Sequence, residues 1–159
     1  MKDTDMEQTV RSVIRRMTAS SVMNLAFARN LIREVEKKAQ EMGVKAVVAV
    51  SDAAGRPVAI ECMDGAYIGS FDVALNKTFT SVAFQMSTAE LGKLAAPGGS
   101  LYGIQNTNDG KIVIFGGGEP LYVDGVLIGA IGVSGGTAEQ DTALGAYGKN
   151  IAKEVISWK

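Results

Sequence analysis

The sequence of 159 residues contains no histidine. This absence excludes Ser-His-Asp and Cys-His nucleophile pairs, zinc sites with histidine ligands, and proton transfer by an imidazole near neutral pH. Cys62 is the single cysteine, so the chain can form no internal disulfide. One thiol also cannot supply the several thiolates of an iron–sulfur cluster or an all-cysteine zinc site. Most familiar catalytic centres are therefore excluded, and the lone thiol favours a reducing compartment.

The sequence also lacks an excess of one charge sign, and it has no long apolar run. The chain has 16 Lys and Arg against 17 Asp and Glu, a net charge of -1. No overall field therefore attracts it to nucleic acid or to an anionic membrane. Its longest apolar runs fall far short of the roughly 20 residues needed to cross a bilayer. We expect a cytoplasmic protein with neither nucleic acid nor membrane as partner, and 47% apolar residues are enough for one domain with a core.

Residues 1–22 are predicted to be an amphipathic helix followed by a linker, preceding a single domain over residues 23–159. The helix resembles the encapsulation peptides that target enzymes to the lumen of bacterial microcompartments, in which paired aliphatic residues such as Val13 and Ile14 precede a small polar stretch. The resemblance implies a shell protein as the partner of residues 1–19, whereas the alternative is a helix that packs on its own domain. The apolar stripe consists of Met6, Val10, Val13, Ile14 and Met17.

The remaining pattern predicts an α+β domain. Short connections and hairpins favour an antiparallel sheet of about five strands with helices packed mainly on one face, in the order α-β-β-α-α-β-β-β-α. The predicted elements are a helix from Asn24 to about Met42, strands over Val44–Ser51 and Pro57–Met63, a helix capped by Ser70 that runs to about Gln85, a helix from Ser87 to about Leu94, strands over Lys111–Phe115, Leu121–Val123 and Val126–Ser134, and a last helix that begins at Thr137.

Glycines are concentrated in the second half of the chain, where they form three clusters. The last cluster directly precedes the helix that begins at Thr137, and free amides and the helix dipole at such a position favour an anion such as a carboxylate. The alternative is that these glycines only permit tight turns. The clusters are Gly98-Gly99, Gly116-Gly117-Gly118 and Gly135-Gly136.

Four other side chains are candidates for chemistry. Lys77 lies in the middle of a helix among small and apolar residues, so its amine either points into a pocket, where it would bind an acid group, or extends to the surface. Glu119 and Asp141 are the carboxylates nearest the glycine clusters. Cys62 falls in a strand, where a small buried side chain is more common than a nucleophile. These residues form no recognised catalytic constellation.

Several strings together resemble one family, the small haem-binding and haem-degrading domains. The family includes the glycolate-operon G protein, the streptomycete extracellular haem-binding protein and the C-terminal domain of propanediol-utilisation corrinoid adenosyltransferases. In the last of these, the adenosyltransferase activity belongs to a separate N-terminal domain that nothing in this sequence resembles. The strings are Val50–Gly55, Met63–Ala66, Ser70–Lys77, Pro97–Ile104, Phe115–Leu121 and Ile128–Asp141.

The resemblance implies an α+β domain that assembles as dimers or larger oligomers and binds tetrapyrroles. It would place the ligand near Lys77, Gly98, Gly99, Tyr102 and the Gly116–Glu119 loop. Relatives that ligate haem iron through a histidine in the first helix differ from this chain, which has none. Iron would then meet another donor type, or the ligand would be a corrinoid whose cobalt brings its own axial base. The available iron donors are Tyr67, Tyr102, Met63 and Cys62.

Three functional hypotheses follow. The first is a tetrapyrrole-binding accessory protein of a catabolic operon, with haem or a corrinoid as cofactor, enclosed in a microcompartment if residues 1–19 target it there. The second is an enzyme that acts on a small carboxylate or a corrinoid through Lys77, Glu119 and Asp141. The third is a structural homo-oligomer without a ligand.

Overall fold

A computed structural model of the chain describes residues 3–20 and 23–156. Within these residues the expected α+β class is confirmed, with five α-helices, two short 3-10 helices and a four-stranded antiparallel sheet in the order β2-β1-β4-β3. None of the helices in the described ranges is long and apolar enough to cross a membrane. The elements are α1 (Asp3–Ser20), α2 (Leu25–Glu41), β1 (Val47–Asp52), β2 (Pro57–Cys62), α3 (Ser70–Phe84), α4 (Thr88–Ala95), β3 (Gly118–Val123), β4 (Val126–Ser134) and α5 (Ala138–Ile156).

The helices cover both faces of the sheet, so the expectation of helices mainly on one face is wrong. On β1, Val48 and Val50 pack into the main core with α2 and α5. Val47 and Ala49 point the other way and pack against Ala74 of α3. Side chains alternate between the two faces of a strand, and every residue from Val47 to Ser51 is buried. β1 is therefore a central strand enclosed on both sides.

The strand expected over Lys111–Phe115 is absent from the described sheet, which has four strands instead of about five. The backbone of this segment is instead fastened to α3 by the side chain of Thr80. The Val113 amide donates to Thr80 Oγ at 3.0 Å, and that hydroxyl donates to Asn76 O at 2.8 Å. A side chain in α3 thus takes the place of a neighbouring strand as the hydrogen-bond partner.

Helix starts follow the local sequence. Asn24 accepts a hydrogen bond from the Phe27 amide at 2.9 Å, which confirms it as the cap of α2. Ser87 begins α4 as predicted, and it forms a capping box with Glu90. Ser70 is not a cap: Gly69 occupies that position, and Ser70 Oγ accepts a hydrogen bond from Ser134 Oγ at 3.1 Å. The serine therefore fastens α3 to β4.

Glycines let α3 lie directly on the edge half of the sheet. Gly118 of β3 and Gly132 of β4 are partners in the strand register. A Cβ at Gly132 would lie 2.1 Å from Ala74 O, and one at Gly118 would lie 2.8 Å from Lys77 O. Because these two strand residues carry no side chain, the backbone of α3 can approach both strands closely.

The apolar stripe of α1 faces solvent. Exposure ranges from 48% at Val13 to 69% at Met17. The helix runs to Ser20, further than the expected helix, while residues 21 and 22 of the expected linker lie outside the described residues. These apolar side chains are exposed, although α1 also contacts the domain at β4. The exposed members of the stripe are Met6, Val10, Val13, Ile14 and Met17.

We expect Gly132→Ala to lower the free energy of unfolding by about 1–3 kcal/mol, the usual cost of overpacking. The added methyl group would overlap Ala74 O of α3. Urea denaturation measures the change. Gly69→Ala is the matched control, because a Cβ there meets nothing within 4 Å. Equal stability of the two variants would contradict the close packing of α3 on the sheet.

Glu90 should make α4 sensitive to acid. The Glu90 carboxylate accepts hydrogen bonds from the Ser87 amide, which has the larger effect, and from the Ser87 hydroxyl. Both lower the pKa of Glu90 below 4.5. A lowered carboxyl pKa contributes stability that is present above pH 4.5 and is lost as the pH falls through the folded-state pKa. Denaturation at a series of pH values should show wild type more stable than Glu90→Gln near neutrality, with the gap closing in acid. A gap that does not depend on pH would contradict this.

Candidate functional site

The centre of the candidate site is a buried ion pair between α3 and α5. Lys77 is fully buried, and its ammonium donates to Asp141 Oδ2 at 2.9 Å and to Val133 O at 2.7 Å. The amine therefore points into the protein, as one of the two sequence interpretations held. The acid group that it meets in this structure belongs to the chain itself.

Burial is the main influence on this lysine. It lowers the pKa of Lys77 below 10.5, while the charge of Asp141 and its hydrogen bond oppose the decrease. The Phe115 ring lies on the ammonium, with 4.8 Å between Nζ and the ring centroid. An ammonium has three N–H donors, and two are used at Val133 and Asp141. The aromatic face is thus a further favourable contact for the charge.

The glycine loop, Gly116–Gly118, passes directly over this ion pair. A Cβ at Gly117 would lie 2.7 Å from Lys77 Nζ and 3.0 Å from Asp141 Cβ, and the residue has φ +115°. A Cβ at Gly116 would overlap the side chain of Thr142. Side chains at these two positions would displace the lysine or α5, so here the glycines do more than permit a turn.

The anion position predicted before the last helix holds a carboxylate of the same chain. The Gly136 amide donates to Asp141 Oδ1 at 2.9 Å. Gly135 is in close contact with Lys45 O, and Thr137 forms a capping box with Gln140 at the start of the predicted helix. Binding of an external anion by Gly135, Gly136 and Thr137 stays a prediction.

Glu119 is separated from the Lys77 pair by the sheet. It is paired in register with Ile131, a residue of the core on the α2 and α5 side. Its carboxylate accepts a hydrogen bond from Lys149 of α5 at 2.8 Å. The structure therefore brings Lys77 and Asp141 together and places Glu119 on the face opposite α3.

A surface with exposed apolar side chains lies beside the ion pair. Leu94 is 39% exposed, Tyr102 68% and Phe115 46%. The Leu101 amide donates to Leu94 O at 3.0 Å, and Gly92 packs so closely on Ile114 that a Cβ would lie 2.2 Å from its carbonyl oxygen. These backbone contacts join the three segments that carry the exposed side chains. We call Leu94, Tyr102 and Phe115 together the aromatic surface.

The predicted loop glycines lie beside this surface. Gly98 is exposed with φ +83°, and a Cβ there would meet nothing within 4 Å. Gly99 is packed against the end of α4, where a Cβ would lie 2.1 Å from Leu94 O. The two glycines therefore differ: Gly98 gives the turn its conformation, and Gly99 allows the loop to approach the helix.

The other candidate iron donors lie elsewhere. Cys62, at the end of edge strand β2, has an exposed thiol instead of the expected buried one. Met63 is half-buried, and its Sδ accepts a hydrogen bond from the Ala46 amide at 3.3 Å. Both line a surface depression of about 540 Å³ that also contains Lys45. Tyr67 is 75% exposed. Among the described residues no group of three or more Cys, Asp or Glu side chains could hold a metal ion.

Sequence reasoning missed Phe115 as a site residue because it assigned that segment to a strand. A signal was available, because Phe115 directly precedes three glycines. Glycines have no side chains that could cover the ring, so the sequence could have indicated an exposed aromatic residue. The hydrogen bond from Lys77 to Val133 O could not be predicted from the sequence, because every residue has a carbonyl group.

We expect Lys77→Met to lower the free energy of unfolding by about 3–5 kcal/mol, because it leaves Asp141 as an uncompensated buried charge. Lys77→Met combined with Asp141→Leu should recover most of this loss, since well-packed apolar residues often replace a buried ion pair without cost. Urea denaturation of the single and double variants measures both effects. A double variant no more stable than Lys77→Met would count against this account of the pair.

Comparison with known proteins identifies the family. The family model described as haem degrading protein HbpS-like matches residues 23–149. An uncharacterised 15.0 kDa protein of the dhaT-dhaS intergenic region of Citrobacter freundii is 44% identical, over 78% of this chain and 87% of that protein. The corrinoid adenosyltransferase PduO of Salmonella typhimurium is 41% identical over 70% of this chain, but only 33% of its own length is covered. A solved PduOC:haem complex has a TM-score of 0.74 and 38% identity, covering 77% of this chain and 88% of that one. The chain therefore belongs to the HbpS-like haem-degrading protein family.

Proposed function

We propose that the protein binds a tetrapyrrole, haem or a corrinoid, as an accessory protein of a catabolic operon. Family membership supports this, as does the relative solved in complex with haem. The observation that carries the proposal is that side chains able to ligate iron lie on the surface beside exposed apolar groups. Haem needs both, an axial donor and an apolar contact for its ring.

The donor set fits haem without histidine. Tyrosinate and cysteine thiolate both serve as axial ligands of haem iron in other proteins. Tyr67, Tyr102 and Cys62 are exposed. Met63 is a weaker candidate, because its sulfur already accepts a hydrogen bond in the interior. Bound haem would supply an iron centre for oxygen or redox chemistry.

The aromatic surface is the position that we favour for the ring. Tyr102 would be the iron donor on it, and Leu94 and Phe115 would offer apolar contacts. The predicted ligand residues Lys77, Gly98, Gly99 and Gly116–Gly118 lie next to or beneath it. Lys77 is fully buried beneath the aromatic surface, so it would influence a ligand without direct contact.

The ion pairs of Lys77, Asp141 and Glu119 favour a binding role over an enzymatic one. Lys77 is paired with Asp141, and Glu119 is paired with Lys149. A group that must accept or release a proton from a substrate needs access to it. The three residues that an enzyme acting on a small carboxylate would use are thus engaged within the fold.

We also propose that the protein is enclosed in a microcompartment. The relatives support the operon context, and the N-terminal helix supports this location. One relative is encoded between dhaT and dhaS, and another is a corrinoid adenosyltransferase. The exposed stripe of α1 is a surface on which a microcompartment shell protein would dock. Exposed apolar side chains at Tyr67 and Ile68, the latter 97% exposed, suit contacts between copies in a homo-oligomer.

Haemin titration followed at the Soret band tests binding, with a corrinoid titrated into the same preparation for comparison. We expect a saturable, shifted band at near-stoichiometric haemin. Tyr102→Phe should then weaken binding by about tenfold or more and alter the band, because it removes the phenolate ligand. Tyr67→Phe, Cys62→Ser and Met63→Leu are the matched controls. A titration no different from that of an unrelated protein would refute haem binding, and a loss confined to Cys62→Ser would move the site to the depression beside Lys45.

The targeting role of α1 is tested with the full chain, tagged with a fluorescent protein and expressed with shell proteins. We expect fluorescence concentrated in the compartments, and diffuse fluorescence for Val10→Glu combined with Val13→Glu. Gln8→Glu combined with Ser12→Glu adds the same charges away from the stripe and should leave the pattern unchanged. Diffuse wild-type fluorescence would refute targeting.

A further inference from the structure

We propose that the exposed face of Phe115 is a stacking site for a flat, π-electron-rich macrocycle, and that the Lys77 ammonium behind the ring tunes its affinity for that class of ligand. The inference rests on the tetrapyrrole binding proposed above. It adds a contact that is independent of iron, since stacking uses the ring system of the ligand and not its metal.

The geometry separates the two faces of the ring. Lys77 is fully buried, and its Nζ lies 4.8 Å from the Phe115 centroid, whereas 46% of Phe115 is exposed. The exposed part of the ring therefore faces away from the ammonium. The ring stands between a buried positive charge and the solvent.

A buried cation changes the electrostatics of a ring placed against it. The face of an aromatic ring is negative, which disfavours direct stacking of two electron-rich rings. An ammonium on one side draws π-electron density toward itself. The outer face of Phe115 then repels an electron-rich macrocycle less. Low local dielectric strengthens this influence, since Lys77 has no contact with water.

The ring and the charge are both held in place before a ligand arrives. Val133 O and Asp141 Oδ2 fix the ammonium at 2.7 and 2.9 Å. Phe115 directly precedes Gly116, which packs against Thr142 of α5 so tightly that a Cβ would overlap its side chain. A contact surface ordered in advance loses less conformational entropy on binding.

The buried charge itself supports the inference. Desolvation makes a buried ion pair a weak source of stability, and an apolar pair of similar size often serves as well. Packing of α3 against α5 alone therefore does not require Lys77 and Asp141. A role for the positive charge beneath Phe115 accounts for a feature that packing leaves unexplained.

The experiment is a binding titration with metal-free protoporphyrin IX, which has the macrocycle and lacks the iron. The proteins are wild type, Phe115→Leu, Lys77→Met with Asp141→Leu, and the triple variant, each first shown to be folded by urea denaturation. We expect dissociation constants about threefold to tenfold larger for Phe115→Leu and for the Lys77/Asp141 variant. The triple variant should be no weaker than Phe115→Leu, because the charge acts only through the ring.

Further variants give the experiment its controls. Tyr122→Leu removes an exposed aromatic residue of β3 and should bind the porphyrin as wild type does. Phe115→Trp offers a larger π face to the same cation and should bind more tightly. If the Lys77/Asp141 variant does not fold, the order Trp, Phe, Leu at position 115 tests the stacking, and Asp141→Asn tests the charge. This variant keeps the ammonium and removes its counter-charge, so it should bind the porphyrin at least as tightly as wild type, and weaker binding would contradict the role of the charge.

The outcomes distinguish this inference from the proposal it rests on. Wild type that binds neither haemin nor the porphyrin refutes tetrapyrrole binding, and the inference with it. Wild type that binds, with dissociation constants unchanged in Phe115→Leu or in the folded Lys77/Asp141 variant, refutes the inference alone. Additive losses in the triple variant would likewise overturn the coupling between the charge and the ring.

Discussion

The ion pair of Lys77 and Asp141 joins parts of the chain that are far apart in sequence. Lys77 belongs to α3, Asp141 to α5, and their third partner is the carbonyl group of Val133 in β4. Asp141 also accepts the Gly136 amide at the start of α5. The glycine loop and Phe115 lie on top of this group. One lysine thus contacts both β4 and α5 at the end of the sheet, where helices from its two faces meet.

Features determined by neighbouring residues were predictable from the sequence. The caps at Asn24 and Ser87 depend on contacts three residues away, and the tight turn at Asp124-Gly125 depends on two residues with positive φ, 49° and 77°. The segment 111–115 shows the limit of such reasoning. Its partner is Thr80, 33 residues from Val113, and no local pattern indicates that contact.

The candidate site shows the same division. The small and apolar neighbours of Lys77 indicated burial, but Asp141 and Glu119 were equally eligible partners until their faces of the sheet were known. The arrangement of helices on both faces did have a signal, the unbroken apolar run of β1, which is typical of a strand buried on both sides. The hairpin connections favoured the one-sided alternative, and they do not determine where helices pack.

The contact of α3 with the sheet has a consequence for how a ligand would be carried. The glycines at positions 118 and 132 leave the helix backbone resting on the strands, with no layer between them for a planar molecule to enter. A planar ligand of the kind proposed above would have to bind outside this contact, so it could bind and leave without separating α3 from the sheet.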